Sequence, residues 1–314
     1  MIKLTNVSKD YILKTGFFKR KTKKVSALTN ISLEIKDKEC VGLIGLNGAG
    51  KSTLLKVILG ILQPDIGEAF LFEKNAIDKR QENMKFIGVV FGQRTQLRWD
   101  VTPLDAYLLN RSLYGIDHVE FDNILKKYAA ILEVDQFWTR PVRTLSLGQK
   151  MRADLLAALL HKPKLLILDE PTVGVDFISK KKIIQLINEL KKEMTIIFTS
   201  HNLNDVYQLC DRFIVLSDGK VIIDSDKDSI SHSVGYSSLR FSLATPDINL
   251  EGISDVGEIS KLNDFEYEIS KISKNDLTYC LDKLFKNNQI QLFELKETGL
   301  EALLMEFDEE SING

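Results

Sequence analysis

The run Gly45-Leu46-Asn47-Gly48-Ala49-Gly50-Lys51-Ser52 constrains this 314-residue chain more than any other stretch. It follows the apolar segment Cys40-Val41-Gly42-Leu43-Ile44 and precedes a helical pattern from Lys51 to Leu59. A buried strand that turns through glycines into a helix aims successive backbone N–H groups, and the positive end of the helix dipole, at one point. That arrangement cradles phosphate oxygens, with Lys51 reaching the outer phosphates and the Ser52 hydroxyl placed to hold Mg2+. Gly45, Asn47, Gly48, Ala49, Gly50, Lys51, Ser52 and Thr53 are therefore the candidate nucleotide-binding residues of the loop.

Two further apolar runs, Leu165–Leu168 and Thr195–Thr199, read as strands buried on both faces. They alternate with longer helical patterns, which predicts an α/β fold with a mainly parallel sheet. Ligands of such sheets collect beyond the carboxyl ends of the strands. There the second run delivers Asp169 and Glu170, and the third delivers Ser200 and His201. Asp169 is placed to hold the Mg2+ shell and Glu170 to polarise a water that attacks the terminal phosphate. His201 is a candidate for hydrogen bonding to that phosphate or that water.

Between these runs, Leu104 to Leu160 reads as a helical stretch punctuated by Pro103 and Pro141, a helical subdomain of about residues 95–162. After Asp224 the polar texture of Ser225–Ser229 and Ser231–Ser238 reads as a linker, giving a main domain over 1–232 and a small α+β domain over 233–314. In the latter, strands are expected at Leu239–Leu243, Glu266–Ile269 and Ile290–Leu295, and a helix at Asn275–Phe285. Thr298 and Glu301 form the capping box of a last helix. With 44% hydrophobic residues there is ample core material, and a net charge of −2 supplies no general attraction to nucleic acid. Cys40, Cys210 and Cys280 lie far apart, which fits neither a disulfide framework nor a zinc site. No secretory h-region opens the chain, and no run approaches the roughly 20 apolar residues of a membrane helix. A role at a membrane would therefore run through a partner.

Leu145-Ser146-Leu147-Gly148-Gln149, ahead of a helix expected from Lys150 to Leu160, strongly resembles the LSGGQ signature of the ABC ATPase family. Residues 1–224 fall into register with that family. Gln93 looks like its Q-loop glutamine, with Gln96 as the alternative, and Pro171–Asp176 is similar to its D-loop, ending at Asp176. His201 matches its switch histidine. Tyr11 matches the aromatic that stacks on adenine, with Phe17 and Phe18 as competitors. Leu147 departs from the pattern, standing where the family has a second glycine. The resemblance implies a P-loop NTPase (ABC ATPase) core with a RecA-like mixed sheet and helical subdomain.

It also implies ATP and Mg2+ as ligands, with Ser52, Gln93 and Asp169 around the metal and Glu170, His201 and Gln93 in catalysis. Two cassettes would stack head to tail, so that Ser146 and Gly148 complete the site of a second ATPase subunit, with Gln149 and Asp176 also counted among the nucleotide-binding residues. The surface near Gln93, with Leu97, Trp99 and Tyr107, would receive an integral membrane (permease) subunit, placing the chain at the cytoplasmic face of the membrane. The small last domain resembles extensions of export-type ABC ATPases, so export is the expected direction and import the alternative. A ribosome- or DNA-directed ABC protein is the rival of another class; the chain shows one cassette and no heptad run. The basic segment Lys14–Lys24 reads as a solvated hairpin tip or a membrane or partner contact, and the acidic end, Phe307 to Glu310, as a solvated tail.

Overall fold

A computed structural model describes residues 1–15, 21–92, 95–200, 203–227, 229, 236–245, 248–250, 252–253, 255–273 and 276–297. Gln93, His201, Phe17, Phe18, Arg20, the Thr298–Glu301 capping box and the acidic end lie outside the described residues. By its contacts the chain divides into two compact units, Met1–Ser225 and Asp226–Gly314.

The first unit opens with a long antiparallel hairpin of β1 (Ile2–Thr15) and β2 (Lys21–Ile35). Then come β3 (Cys40–Ile44), α1 (Lys51–Ile58), β4 (Ile66–Leu71) and β5 (Lys74–Asn75), and β1, β2, β4 and β5 form a four-stranded sheet in the order β2-β1-β4-β5. The helix α2 (Arg80–Met84) leads into β6 (Ile87–Phe91). The expected helical stretch resolves into α3 (Pro103–Tyr114), α4 (His118–Leu132), a 3-10 turn at Val142–Thr144 and α5 (Leu147–Leu159). Local chemistry sets these limits. Pro103 begins α3 behind a Thr102–Asp105 capping box, and Gly115 stops it in the left-handed conformation.

After α5 come β7 (Leu165–Asp169), α6 (Phe177–Leu190), β8 (Thr195–Thr199), α7 (Leu203–Leu209), β9 (Arg212–Ser217) and β10 (Lys220–Asp226). A six-stranded sheet runs β10-β9-β3-β8-β7-β6, with the β9-β3, β3-β8, β8-β7 and β7-β6 pairs parallel. The three apolar runs are β3, β7 and β8 at its centre, and their interior residues are buried on both faces. From α1, Leu54, Leu55, Val57 and Ile58 join one core with Ile2, Leu28, Leu43, Ile167 and Ile197. Burying each such side chain contributes about 1.5–3 kcal/mol. The core therefore fixes the helix that follows the glycine loop against both sheets.

In the second unit, β11 (Tyr236–Leu243), β12 (Glu258–Lys261), β13 (Glu266–Ser273), α8 (Leu277–Asn287) and β14 (Ile290–Glu297) build an antiparallel sheet in the order β12-β13-β11-β14. Its own core gathers Leu239, Phe241, Ile269 and Ile272 with Cys280 and Leu284 of α8.

Candidate nucleotide site

The loop after β3 takes its shape from close packing. Gly50 caps α1 at φ 105°, and a Cβ there would lie 2.5 Å from the carbonyl oxygen of Ala27. Only glycine fits that conformation and that approach. The loop borders a cavity of about 410 Å3, with Asn47, Gly48, Lys51, Ser52 and Thr53 on one side and Asp169 and Glu170 on the other. Phe91 and Gly92, at and just after the end of β6, line it as well. Lys51 Nζ donates to the loop carbonyls of Gly45 and, at 3.0 Å, Leu46. Burial draws the Lys51 ammonium below its usual range, and the facing charges of Glu170 and Asp169 oppose that shift.

Parallel pairing sets Asp169 opposite Thr199. The Thr199 hydroxyl donates to Asp169 Oδ1 at 2.6 Å and accepts from the Glu170 N–H at 3.0 Å. Glu170 itself has φ 55°, a left-handed conformation that a residue with a Cβ rarely adopts. The Gly92 N–H donates to Asp169 O at 2.7 Å, tying the end of β6 to the end of β7. Thr199 was not singled out from the sequence. The signal lay in the two strand ends, each recognised separately, whose register puts the hydroxyl beside the carboxylate.

Other expected residues are placed apart from this cavity. Ala49 is buried at 5% exposure, with its N–H turned to Leu46 O, so its side chain belongs to the core and not to the cavity lining. Tyr11 lies on β1 in register with Val25 and does not line the cavity. Gln96, the alternative to Gln93, lines a separate groove, its amide donating to Val89 O. Lys24, in the basic segment, pairs with Asp10 at 2.8 Å.

The expected signature residues form a second cluster. Ser146 caps α5: its Oγ accepts from Gln149 N at 3.2 Å, while Gln149 Oε1 accepts from Ser146 N at 3.0 Å. This reciprocal box starts the helix at Leu147, not at Lys150 as expected, and occupies the Gln149 side chain within its own chain. Asp176 caps α6 by accepting from Ser179 N at 2.9 Å, which holds its carboxyl below the usual range. The two caps touch. A Cβ at Gly148 would fall 2.4 Å from Asp176 Oδ2 and 2.5 Å from Ser179 Oγ. Leu147, 43% exposed, lies over Gly174, where a Cβ would come within 3.0 Å of its Cδ2.

A groove of about 460 Å3 follows the loop after β6, lined by Met84, Leu97, Leu109, Tyr114 and His161 among others. Tyr114 and His161 stack with ring centroids 4.2 Å apart, and His161 Nε2 lies 3.0 Å from Ile87 O. Burial lowers the His161 pKa and favours its neutral form. Of the three anchors expected here, Trp99 is 67% exposed, whereas Tyr107 is fully buried with its hydroxyl on Ala153 O, and Leu97 is buried. Only Trp99 presents the free surface an anchor requires.

The sequence over residues 28–173 matches the ABC transporter family model. It is 31% identical over 242 residues to the ABC transporter ATP-binding protein NatA of Bacillus subtilis, covering 77% of this chain and 96% of that protein. The chain belongs to the ABC transporter family. This ATP-binding subunit is also 31% identical to the linearmycin resistance ATP-binding protein LnrL of Bacillus subtilis, covering 84% of this chain and 81% of that one. It is 30% identical to the methionine import ATP-binding protein MetN 4 of Oceanobacillus iheyensis, covering 84% and 78%. A solved dimeric ATP-binding cassette in a post-hydrolysis state, bound to ADP and Pi, is 29% identical, with a TM-score of 0.63 over 72% of this chain and 99% of that one. The P-loop ABC ATPase fold expected from the sequence is thereby established. Among the described residues no helix is long and apolar enough to cross a membrane.

Proposed function

We propose that the chain hydrolyses ATP as a head-to-tail pair and so drives transport, in the export direction, through separate transmembrane subunits at the cytoplasmic face of the membrane. The observation that carries the reading is the single cavity bordered by the phosphate loop, Asp169 and Glu170. Lys51 and the loop amides bind the phosphates, and Glu170 orients the attacking water, with Gln93 and His201 assisting. Magnesium fits the donor chemistry: the Ser52 hydroxyl and the Asp169 carboxylate are hard oxygens on one cavity. Held there by Ser52 and Asp169, Mg2+ would supply positive charge against that developing on the phosphates. Thr199 holds Asp169 in place for it.

Ser146, Gly148 and Asp176 stand clear of the cavity in their own chain, which supports their use across a dimer. Tyr11 remains the proposed adenine contact. The groove at Leu109 and Tyr114, with exposed Trp99, supports docking of a permease subunit, and the unit over 226–314 is a small accessory domain. Similarity to a resistance protein and the accessory unit support export. Similarity to a methionine import protein favours a second reading, an importer ATPase.

The test is phosphate release by the purified chain with Mg-ATP, beside Lys51→Ala. Turnover in the wild type and loss of both nucleotide binding and turnover in the variant are expected; near-normal turnover in the variant overturns the assignment. Membrane recovery of tagged wild type against Trp99→Glu tests the docking surface, and recovery only with ribosomes or nucleoid overturns the transport reading.

A further inference from the structure

We infer that Asp154 is a positioning residue that fastens the loop 95–97 to the signature helix α5, so that the loop leaving the nucleotide cavity and Ser146 move as one piece during turnover. The inference rests on the ATPase reading above. Asp154 lies about two turns along the helix that Ser146 caps. It is 2% exposed, between Ala153 and Leu155, which are both fully buried. Its Oδ1 accepts from Thr95 Oγ1 at 3.0 Å and from Gln96 N at 3.1 Å, and Leu97 N donates in turn to Thr95 Oγ1 at 3.2 Å. On the other side of the same loop, the Gln96 amide donates to Val89 O of β6. The loop is thus stitched to both the strand that borders the cavity and the helix that carries Ser146.

A buried carboxylate is costly unless donors surround it, and a small apolar residue in this helix interior would avoid the cost altogether. The acid is useful only for what it holds. Desolvation pushes its carboxyl up to about 7, against the pull of Thr95, the Gln96 and Leu97 amides and the charge of Lys150. Tyr107 of α3 is the other titratable group facing it. The neighbouring Ala153 O accepts from the Tyr107 hydroxyl at 3.1 Å, so α3 is tied to the same turn of α5. Packed elements joined in this way have few intermediate arrangements and shift together.

The experiment is a double-mutant cycle on ATP turnover with Asp154→Ala, Thr95→Val and the pair, together with Asp154→Asn, which keeps an Oδ1 acceptor. Each of the first two is expected to lower kcat about 10-fold with KM for ATP changed less, and the pair to be no worse than either single change. Asp154→Asn should restore most of kcat. Hydrogen exchange at the Gln96 and Leu97 amides should quicken in Asp154→Ala before any nucleotide is added. Thr95→Val, on the loop, remains informative if Asp154→Ala does not fold. Wild-type kcat in Thr95→Val, additive effects in the cycle, or a loss in Asp154→Asn equal to that in Asp154→Ala overturns the positioning role alone. Absence of turnover in the wild type overturns the ATPase reading and this role with it.

Discussion

Thr199 Oγ1 stands 2.6 Å from Asp169 Oδ1 and accepts from the N–H of the next residue, Glu170, so one hydroxyl ties the candidate metal-binding carboxylate to the backbone of the candidate catalytic residue. Thr199→Val keeps the shape of the strand and removes the hydroxyl's two bonds, while the Glu170 N–H keeps its bond to Thr199 O at 3.1 Å. Partners that orient metal-binding side chains typically cost 10–100-fold when lost, so ATP turnover is expected to fall by about 10-fold or more. Nucleotide binding, which depends on the phosphate loop, should remain. Phosphate release and fluorescent-ATP titration on the same preparation check this, and unchanged turnover would count against the hydroxyl's role.

Glu170→Gln conserves shape and removes the carboxylate. ATP should then bind without turnover, and the chain should form an ATP-dependent dimer visible by light scattering in Mg-ATP. A variant that stays monomeric and still releases phosphate would contradict both the chemical role of Glu170 and the closed dimer.

Gly148→Ala addresses the contact between the two helix caps. The added Cβ meets Asp176 Oδ2 and Ser179 Oγ at 2.4 and 2.5 Å, so the α6 cap must shift. Forced overpacking of this kind costs about 1–3 kcal/mol. Urea denaturation should show that loss, and a midpoint equal to wild type would mean that the caps yield freely.

Asp154 makes stability depend on pH in a defined direction. Its folded pKa of about 7 exceeds the 3.8 of an ordinary aspartate, so between these values the native state holds an extra proton. Its contribution is therefore fully present below about pH 4 and is lost as pH rises through 7, at no more than about 1.4 kcal/mol per pH unit. The groups around it, Thr95, Gln96, Lys150 and Tyr107, are unchanged in Asp154→Asn. The stability of this variant relative to wild type should therefore grow from pH 5 to pH 8 in denaturant titrations. A difference that does not change with pH would place the Asp154 titration elsewhere.

The elements nearest the chemistry were legible because their signals are local. An apolar run, a glycine turn and a helix start at Lys51 lie within one short stretch, and the same holds for Leu165–Glu170 and for the Ser146 cap. The start of α5 was misplaced by three residues because Leu147 and Gly148 look like loop, while the reciprocal Ser146–Gln149 box begins the helix ahead of them. Tyr107 and Leu97 read as surface anchors because neither an aromatic in a helical pattern nor a leucine in a loop carries a mark of which way it turns. Packing against α5 buries Tyr107.

By itself the sequence determined the class of fold, the phosphate loop, the carboxylates at the end of β7 and the family, since each depends on residues close together in the chain. Tertiary structure alone decided what stands beside them: Thr199 against Asp169, Gly148 against Asp176 and Asp154 against Thr95. These pairs are 30, 28 and 59 positions apart and meet only because parallel strands and packed helices bring distant segments into register. Hydrogen-bond distance is a property of that register, and no local pattern of residue types encodes it.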